Sequence, residues 1–155
     1  MYFFADSGCR ANEALRIQLS EINILSGECL IAKSKSRKPR YIFLGEKSRR
    51  AIRRYLKLRK DNSPALWVTP DGHPLSYWGM VTAFKERAKK AGVKPPSIHS
   101  FRRFWALEMI RNNTDLISLS RLGGWGDLQI VTRYAKQRKD DLKAKASSPV
   151  DNLTQ

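Results

Sequence analysis

Apolar positions recur along most of this chain at helical spacing, and only three short runs have the look of strands. The start, Tyr2-Phe3-Phe4-Ala5, reads as the end of an apolar element, followed by a turn at Ser7-Gly8. Residues 11–15 then read as a helix, with Leu15 and Leu19 on one face. Residues 28–32 and 41–44 read as paired strands around the basic stretch 33–40, a β-hairpin with a charged tip. Pro39 fits the start or edge of a strand. A helix is predicted over 47–60, with Ile52, Tyr55 and Leu56 as its apolar stripe and Asp61-Asn62-Ser63-Pro64 as its stop. Leu66-Trp67-Val68 reads as a third short strand, closed by the turn Pro70-Asp71-Gly72.

The second half is helical throughout. Ser76 caps a helix carrying Met80, Val81, Phe84 and Ala88, which Gly92 stops. Pro95-Pro96 breaks the chain before a helix from Ser97 or Ile98 to Arg111, rich in Phe101, Phe104, Trp105 and Met109. Thr114 is the expected cap of a short helix that runs through Leu122 and ends at Gly123-Gly124. Asp127 caps a last helix, read as continuing through Tyr134. No internal repeat is visible. The pattern predicts an α+β fold, mostly helical, with a small three-stranded antiparallel sheet near the N-terminus. It forms one domain over 1–146, and the Ser147-Ser148-Pro149 region, 147–155, reads as a disordered tail.

Charge changes the picture next. Thirty Lys and Arg face fourteen Asp and Glu, a formal net charge of +16. Such an excess repels itself unless a polyanion offsets it, and nucleic acid is the commonest such partner because bound phosphates release counterions. A composition 41% hydrophobic and 28% charged is that of a globular chain, not a disordered one. No apolar run approaches the roughly 20 residues that span a bilayer, so no membrane role is expected and a cytoplasmic, nucleoid-associated place is. Cys9 and Cys29, both in apolar surroundings, read as buried free thiols. His73 and His99 are the only histidines, and nothing has zinc-ligand spacing.

Four features could carry chemistry, and each taken singly has a plain structural reading. Arg10 follows a tight turn at a helix start, and Glu13 three residues on can hold its guanidinium for phosphate binding, or form an ordinary surface salt bridge. Lys35 stands on the hairpin tip, where it can reach into a groove or touch phosphate non-specifically; Lys33 is its rival if the register slips by one pleat. His99 and Arg102 lie three apart on one helix face, which suits proton transfer beside charge stabilisation, or a structural histidine in a basic helix. Leu122-Gly123-Gly124-Trp125 precedes Thr132-Arg133-Tyr134, and Tyr134 is either a nucleophile or a core aromatic.

Order and spacing together resemble the tyrosine recombinase, or phage integrase, family over essentially the whole chain. Ser7-Gly8-Cys9-Arg10-Ala11-Asn12-Glu13-Ala14-Leu15 is similar to its first arginine box, and Ser34-Lys35-Ser36-Arg37-Lys38-Pro39-Arg40 to its hairpin lysine segment. His99 to Arg102 is similar to its second box, and Arg133-Tyr134-Ala135 to its nucleophile motif. The resemblance implies a catalytic domain of that fold, without the N-terminal core-binding domain. Its active site would be Arg10, Lys35, His99, Arg102, Trp125 and Tyr134, supported by Glu13. Trp125 stands where the family often has His. The implied activity is site-specific DNA cleavage and rejoining through a 3′-phosphotyrosyl link, with no cofactor and no metal. The implied partner is double-stranded DNA, on which copies of the chain assemble as a tetramer from free monomers. Two rivals are a type IB topoisomerase-like relaxing enzyme and a basic DNA-binding module without activity.

Overall fold

A computed structural model of the chain describes residues 1–32 and 39–134. Lys35, the hairpin tip around it and the segment from 135 onward, including the tail, lie outside the described residues. The apolar start forms a short helix, α1 (Tyr2–Ser7), which buries Phe3 and Phe4 and ends on Gly8 at φ 60°. A left-handed residue there suits glycine, and space demands it as well: a methyl group on Gly8 would overlap the Trp105 ring. The chain then turns into α2 (Ala11–Leu15).

The hairpin pairs β1 (Glu28–Ile31) with β2 (Arg40–Phe43), antiparallel, with Cys29 opposite Ile42 and Ile31 opposite Arg40. Side chains alternate across it: Cys29, Ile31 and Ile42 face the core, while Tyr41 and Phe43 are exposed. The sheet among the described residues has two strands, not the three expected. Residues 65–68 make single bridges instead, Ala65 with Gln18 on one side and Val68 with Pro74 on the other. Pro64, just before this run and opposite Leu19, accepts from the Leu19 N–H at 2.8 Å but has no N–H to return, so the first bridge does not extend into a ladder.

Helix α3 (Glu46–Leu58) buries Ser48 and Ile52 and leaves Arg50 and Arg54 exposed on its outer side. It stops two residues earlier than its spacing predicts because Arg59 folds back. That guanidinium donates to Asp61, to the Ala65 carbonyl at 2.8 Å and to the Ser63 carbonyl at 2.9 Å. Helix α4 (Tyr77–Lys90) is capped by Ser76, whose hydroxyl accepts from the Gly79 N–H at 3.0 Å. Helix α5 (Ile98–Arg111) is capped in the same way by Ser97, from Ser100 at 3.1 Å.

Helix α6 (Leu116–Gly123) is capped by Asp115 rather than Thr114. Its carboxylate accepts from Ile117 and Ser118, a job for which it has more lone pairs than a hydroxyl. Helix α7 (Leu128–Thr132) is capped by Asp127 and ends before Tyr134, which lies in the following turn with its N–H on the Val131 carbonyl at 2.9 Å.

Two apolar clusters result. The larger joins α1, the hairpin, α3 and α4 through Phe3, Phe4, Cys29, Ile42, Ile52, Leu66, Met80 and Phe84. The smaller joins α5, α6 and α7 through Trp105, Ala106, Leu119 and Val131, with Trp125 and Tyr134 packed against it. Helix α5 serves both, since Phe101 packs on the first and Trp105 on the second. The seam between the clusters is where the candidate chemistry collects.

Candidate active site

Arg10 occupies the N-cap position of α2 with extended backbone, φ −73° and ψ 151°. Its own N–H donates to Glu13 Oε2 at 3.0 Å, and its Nη1 donates to Glu13 Oε1 at 3.0 Å. Glu13 therefore closes the first turn of α2 and fixes the arginine at the same time. Arg10 Nη2 reaches across the fold to the Gly124 carbonyl at 3.2 Å.

Arg102, in the middle of α5, is 4% exposed, which is rare for an arginine and demands partners. Its Nη1 donates to the Gly8 carbonyl and its Nη2 to the Gly123 carbonyl, both at 2.6 Å. The two arginines thus end on consecutive carbonyls of the α6–α7 turn. The guanidinium carbon of Arg102 lies 4.0 Å from the Trp125 ring centre, a cation–π contact in a largely dry setting. Trp125 stacks on Trp105 with centroids 6.0 Å apart and tilts against Tyr134 at 5.8 Å.

Arg10, Glu13, Arg102, Trp125 and the half-buried Tyr134 therefore form one connected constellation, although Gly8 and Arg102, which touch, are 94 residues apart. His99 is exposed and sits one helical turn before Arg102 on α5. Lys35 belongs to the undescribed tip of the hairpin.

A further arginine shares the site without having been singled out in the sequence. Arg40 opens β2, and its guanidinium donates from Nη1 to Glu13 Oε1 at 3.1 Å and from Nη2 to Glu13 Oε2 at 2.8 Å. Its Nε donates to the Leu122 carbonyl at 2.9 Å. The sequence held a signal for it: strand alternation puts Arg40 on the inward face with Ile42 and Leu44, where a charged residue needs a partner.

Two guanidiniums bond the Glu13 carboxylate and a third, that of Arg102, lies near it, so the cluster carries an excess of positive charge. Burial by itself would raise the Glu13 carboxyl. Hydrogen bonds from Arg40 and from the Arg10 N–H, with the charges of both arginines, outweigh it and hold the group down at about 2. Burial, then the neighbouring charges of Arg10 and Arg40, lower the Arg102 guanidinium to about 10, against the pull of Glu13. Such a site favours an anion, above all one with several oxygens that can take paired donors. Cys9 lies close by but is no rival nucleophile, because burial pushes its thiol up to about 11. A cavity of about 1070 Å³ lined by Phe3, Trp67, Leu75 and Met80 touches none of these groups.

With this geometry in place, the chain's relationships are informative. Residues 1–141 match the phage integrase family model, so this chain is a member of the phage integrase family. It is 29% identical over 150 residues to tyrosine recombinase XerD of Halalkalibacterium halodurans, covering 89% of this chain and 49% of that protein. The chain spans about half the length of the curated relatives it matches. The crystal structure of XerA recombinase superposes with a TM-score of 0.80 at 20% identity, over 93% of this chain and 54% of that one. A Tn1549 transposon integrase in complex with a circular intermediate DNA superposes with a TM-score of 0.78 at 15% identity, over 93% and 55%. The fold is that of the tyrosine recombinase catalytic domain. No helix among the described residues is long and apolar enough to cross a membrane.

Proposed function

We propose that this chain cleaves and rejoins double-stranded DNA at specific sites, with Tyr134 as nucleophile. The observation that carries the reading is the meeting of Arg10 and Arg102 on the adjacent Gly124 and Gly123 carbonyls, beside the Trp125–Tyr134 pair. Family membership and the DNA complex of the transposon integrase support the choice of substrate.

The Tyr134 oxygen attacks a backbone phosphorus, the new O–P bond forms, and the P–O5′ bond breaks. His99 takes the tyrosine proton, and Lys35 supplies a proton to the departing 5′ oxygen. Arg10 and Arg102 hold the non-bridging oxygens, where charge builds in the transition state, and guanidiniums already fixed in place need little reorganisation to stabilise it. Glu13 holds Arg10 in place, and Trp125 closes the pocket where other members often carry a histidine. The product is a 3′-phosphotyrosyl link and a free 5′ hydroxyl. A 5′ hydroxyl then reverses the step, so the bond energy is retained and no ATP is needed. The strongly basic chain is monomeric when free and assembles as a tetramer on DNA, which screens its charge.

A library of randomised, singly nicked duplexes tests the reaction directly. After cleavage the short strand beyond the nick diffuses away, so an active chain accumulates as an SDS-resistant protein–DNA band. A chain that binds the library but leaves no such band is a binding module, and the proposal falls.

A further inference from the structure

We propose that Arg40 is a positioning residue for this reaction: from the inward face of β2 it fixes Glu13, and through it Arg10, while holding the turn whose carbonyls receive Arg10 and Arg102. The inference rests on the recombinase reading above and extends it to a residue that stands at the end of the hairpin segment and was given no role there.

The geometry is that of a keystone. A carboxylate offers about four lone-pair sites. At Glu13 they are taken by four donors, the N–H and Nη1 of Arg10 and Nη1 and Nη2 of Arg40. Arg40 supplies half of that set through a planar fork that lysine cannot copy. Its remaining bond, to the Leu122 carbonyl, clamps the end of α6 to β2. The next two carbonyls, of Gly123 and Gly124, are the ones that orient Arg102 and Arg10.

Gly124 fits the arrangement twice over. It adopts φ +63°, and a Cβ there would lie 2.8 Å from Arg40 Nη1. The Arg40 side chain is only 10% exposed, so it is no surface phosphate contact. Arg40 also directly follows Pro39 at the foot of the segment that carries Lys35, so the strand that returns from that segment is anchored on the site.

The test compares wild type, Arg40→Lys, Arg40→Met, Glu13→Gln and Arg40→Met/Glu13→Gln on the nicked duplex library. Circular dichroism fixes the folded fraction, and rates are taken per folded molecule. Loss of the fork lets Arg10 drift, and a misplacement of the order of 1 Å costs about 100-fold. Covalent adduct formation should therefore slow by about that factor in Arg40→Lys and Arg40→Met, with duplex affinity little changed. The double variant should be no slower than the slower single one, because both substitutions break one unit.

The pH profile gives a readout that folding alone would not move. Without Arg40, Glu13 keeps its burial and loses a hydrogen-bonding partner, so the acid limb of the cleavage rate should shift to higher pH. If Arg40→Met does not fold, Arg40→Lys, which keeps the charge and the apolar stem, carries the comparison. Folded Arg40 variants that cleave like wild type with an unmoved acid limb would overturn the assignment. A wild-type chain that gives no more adduct than Tyr134→Phe would instead overturn the reaction, and Arg40's part in it.

Discussion

The Arg102 guanidinium lies 4.0 Å from the centre of the Trp125 ring, and that ring lies 5.8 Å from Tyr134. One indole thus connects the buried arginine of α5 with the turn that bears the candidate nucleophile. Trp125 also stacks on Trp105, so it is held by the smaller apolar cluster rather than by the surface. Trp125→Ala should lose apolar burial, stacking and the cation–π contact together, on the order of 3 kcal/mol of stability. Trp125→Phe should lose much less and keep part of the cleavage activity. Urea unfolding of the two variants measures the difference, and equal stabilities would show that the ring contacts contribute nothing.

Tyr134→Phe should remove covalent attachment to DNA and leave duplex affinity within experimental error of wild type. The substitution deletes one hydroxyl and alters no charge, while the ring contact with Trp125 persists. Adduct that survives in this variant would point to another nucleophile, Tyr55 or Tyr77.

Sulfate should stabilise the folded chain, because an anion with several acceptor oxygens suits the arginine cluster. Binding to the native state alone raises stability in proportion to RT ln(1 + [L]/Kd). Melting curves in sodium sulfate should therefore rise above those in sodium chloride at equal ionic strength, and Arg10→Met should lose most of the increment. An increment untouched in Arg10→Met would show that sulfate acts elsewhere, at another basic patch or by exclusion from the surface, and not at this cluster. Arg102→Met is the poorer variant for this purpose: it leaves the Gly8 and Gly123 carbonyls without their donors and should itself cost about 2–4 kcal/mol.

Acid should destabilise the fold through Glu13. Its folded-state value of about 2 lies below the ordinary carboxylate range, so its contribution is fully present above about pH 4.5. The contribution is lost as pH falls from there through about 2, and it amounts to no more than about 3 kcal/mol. Urea unfolding at a series of pH values should show a shallower decline for Glu13→Gln than for wild type across that window. Parallel declines would mean that Glu13 is not the group being protonated.

The helices were legible because helix signals are local. Ser76, Ser97 and Asp127 cap the helices their positions announce, and Gly8 and Gly124 end helices in left-handed conformations. Even the errors at helix ends were small and local: Asp115 in place of Thr114, and an early stop at Leu58 imposed by Arg59. The third strand does not form for a non-local reason: a strand needs a neighbour with free donors on the right edge, and here Ala65 and Val68 make single bridges instead, with Pro64 unable to donate.

For the candidate site the division is similar. Sequence by itself determined the residue types and their order, Trp125 ahead of Tyr134 among them, and it placed Arg10 with Glu13 and His99 with Arg102 because those two spacings each lie within one helical turn. Only the tertiary structure decided that Arg10 and Arg102 would end on neighbouring carbonyls. Only it decided that Arg40, 27 residues from Glu13, would take half of that carboxylate. The reason is that a buried guanidinium must find acceptors wherever packing brings them, and besides Glu13 the ones found here are backbone carbonyls of glycine and leucine, groups that every sequence contains and that no pattern of residue types can mark.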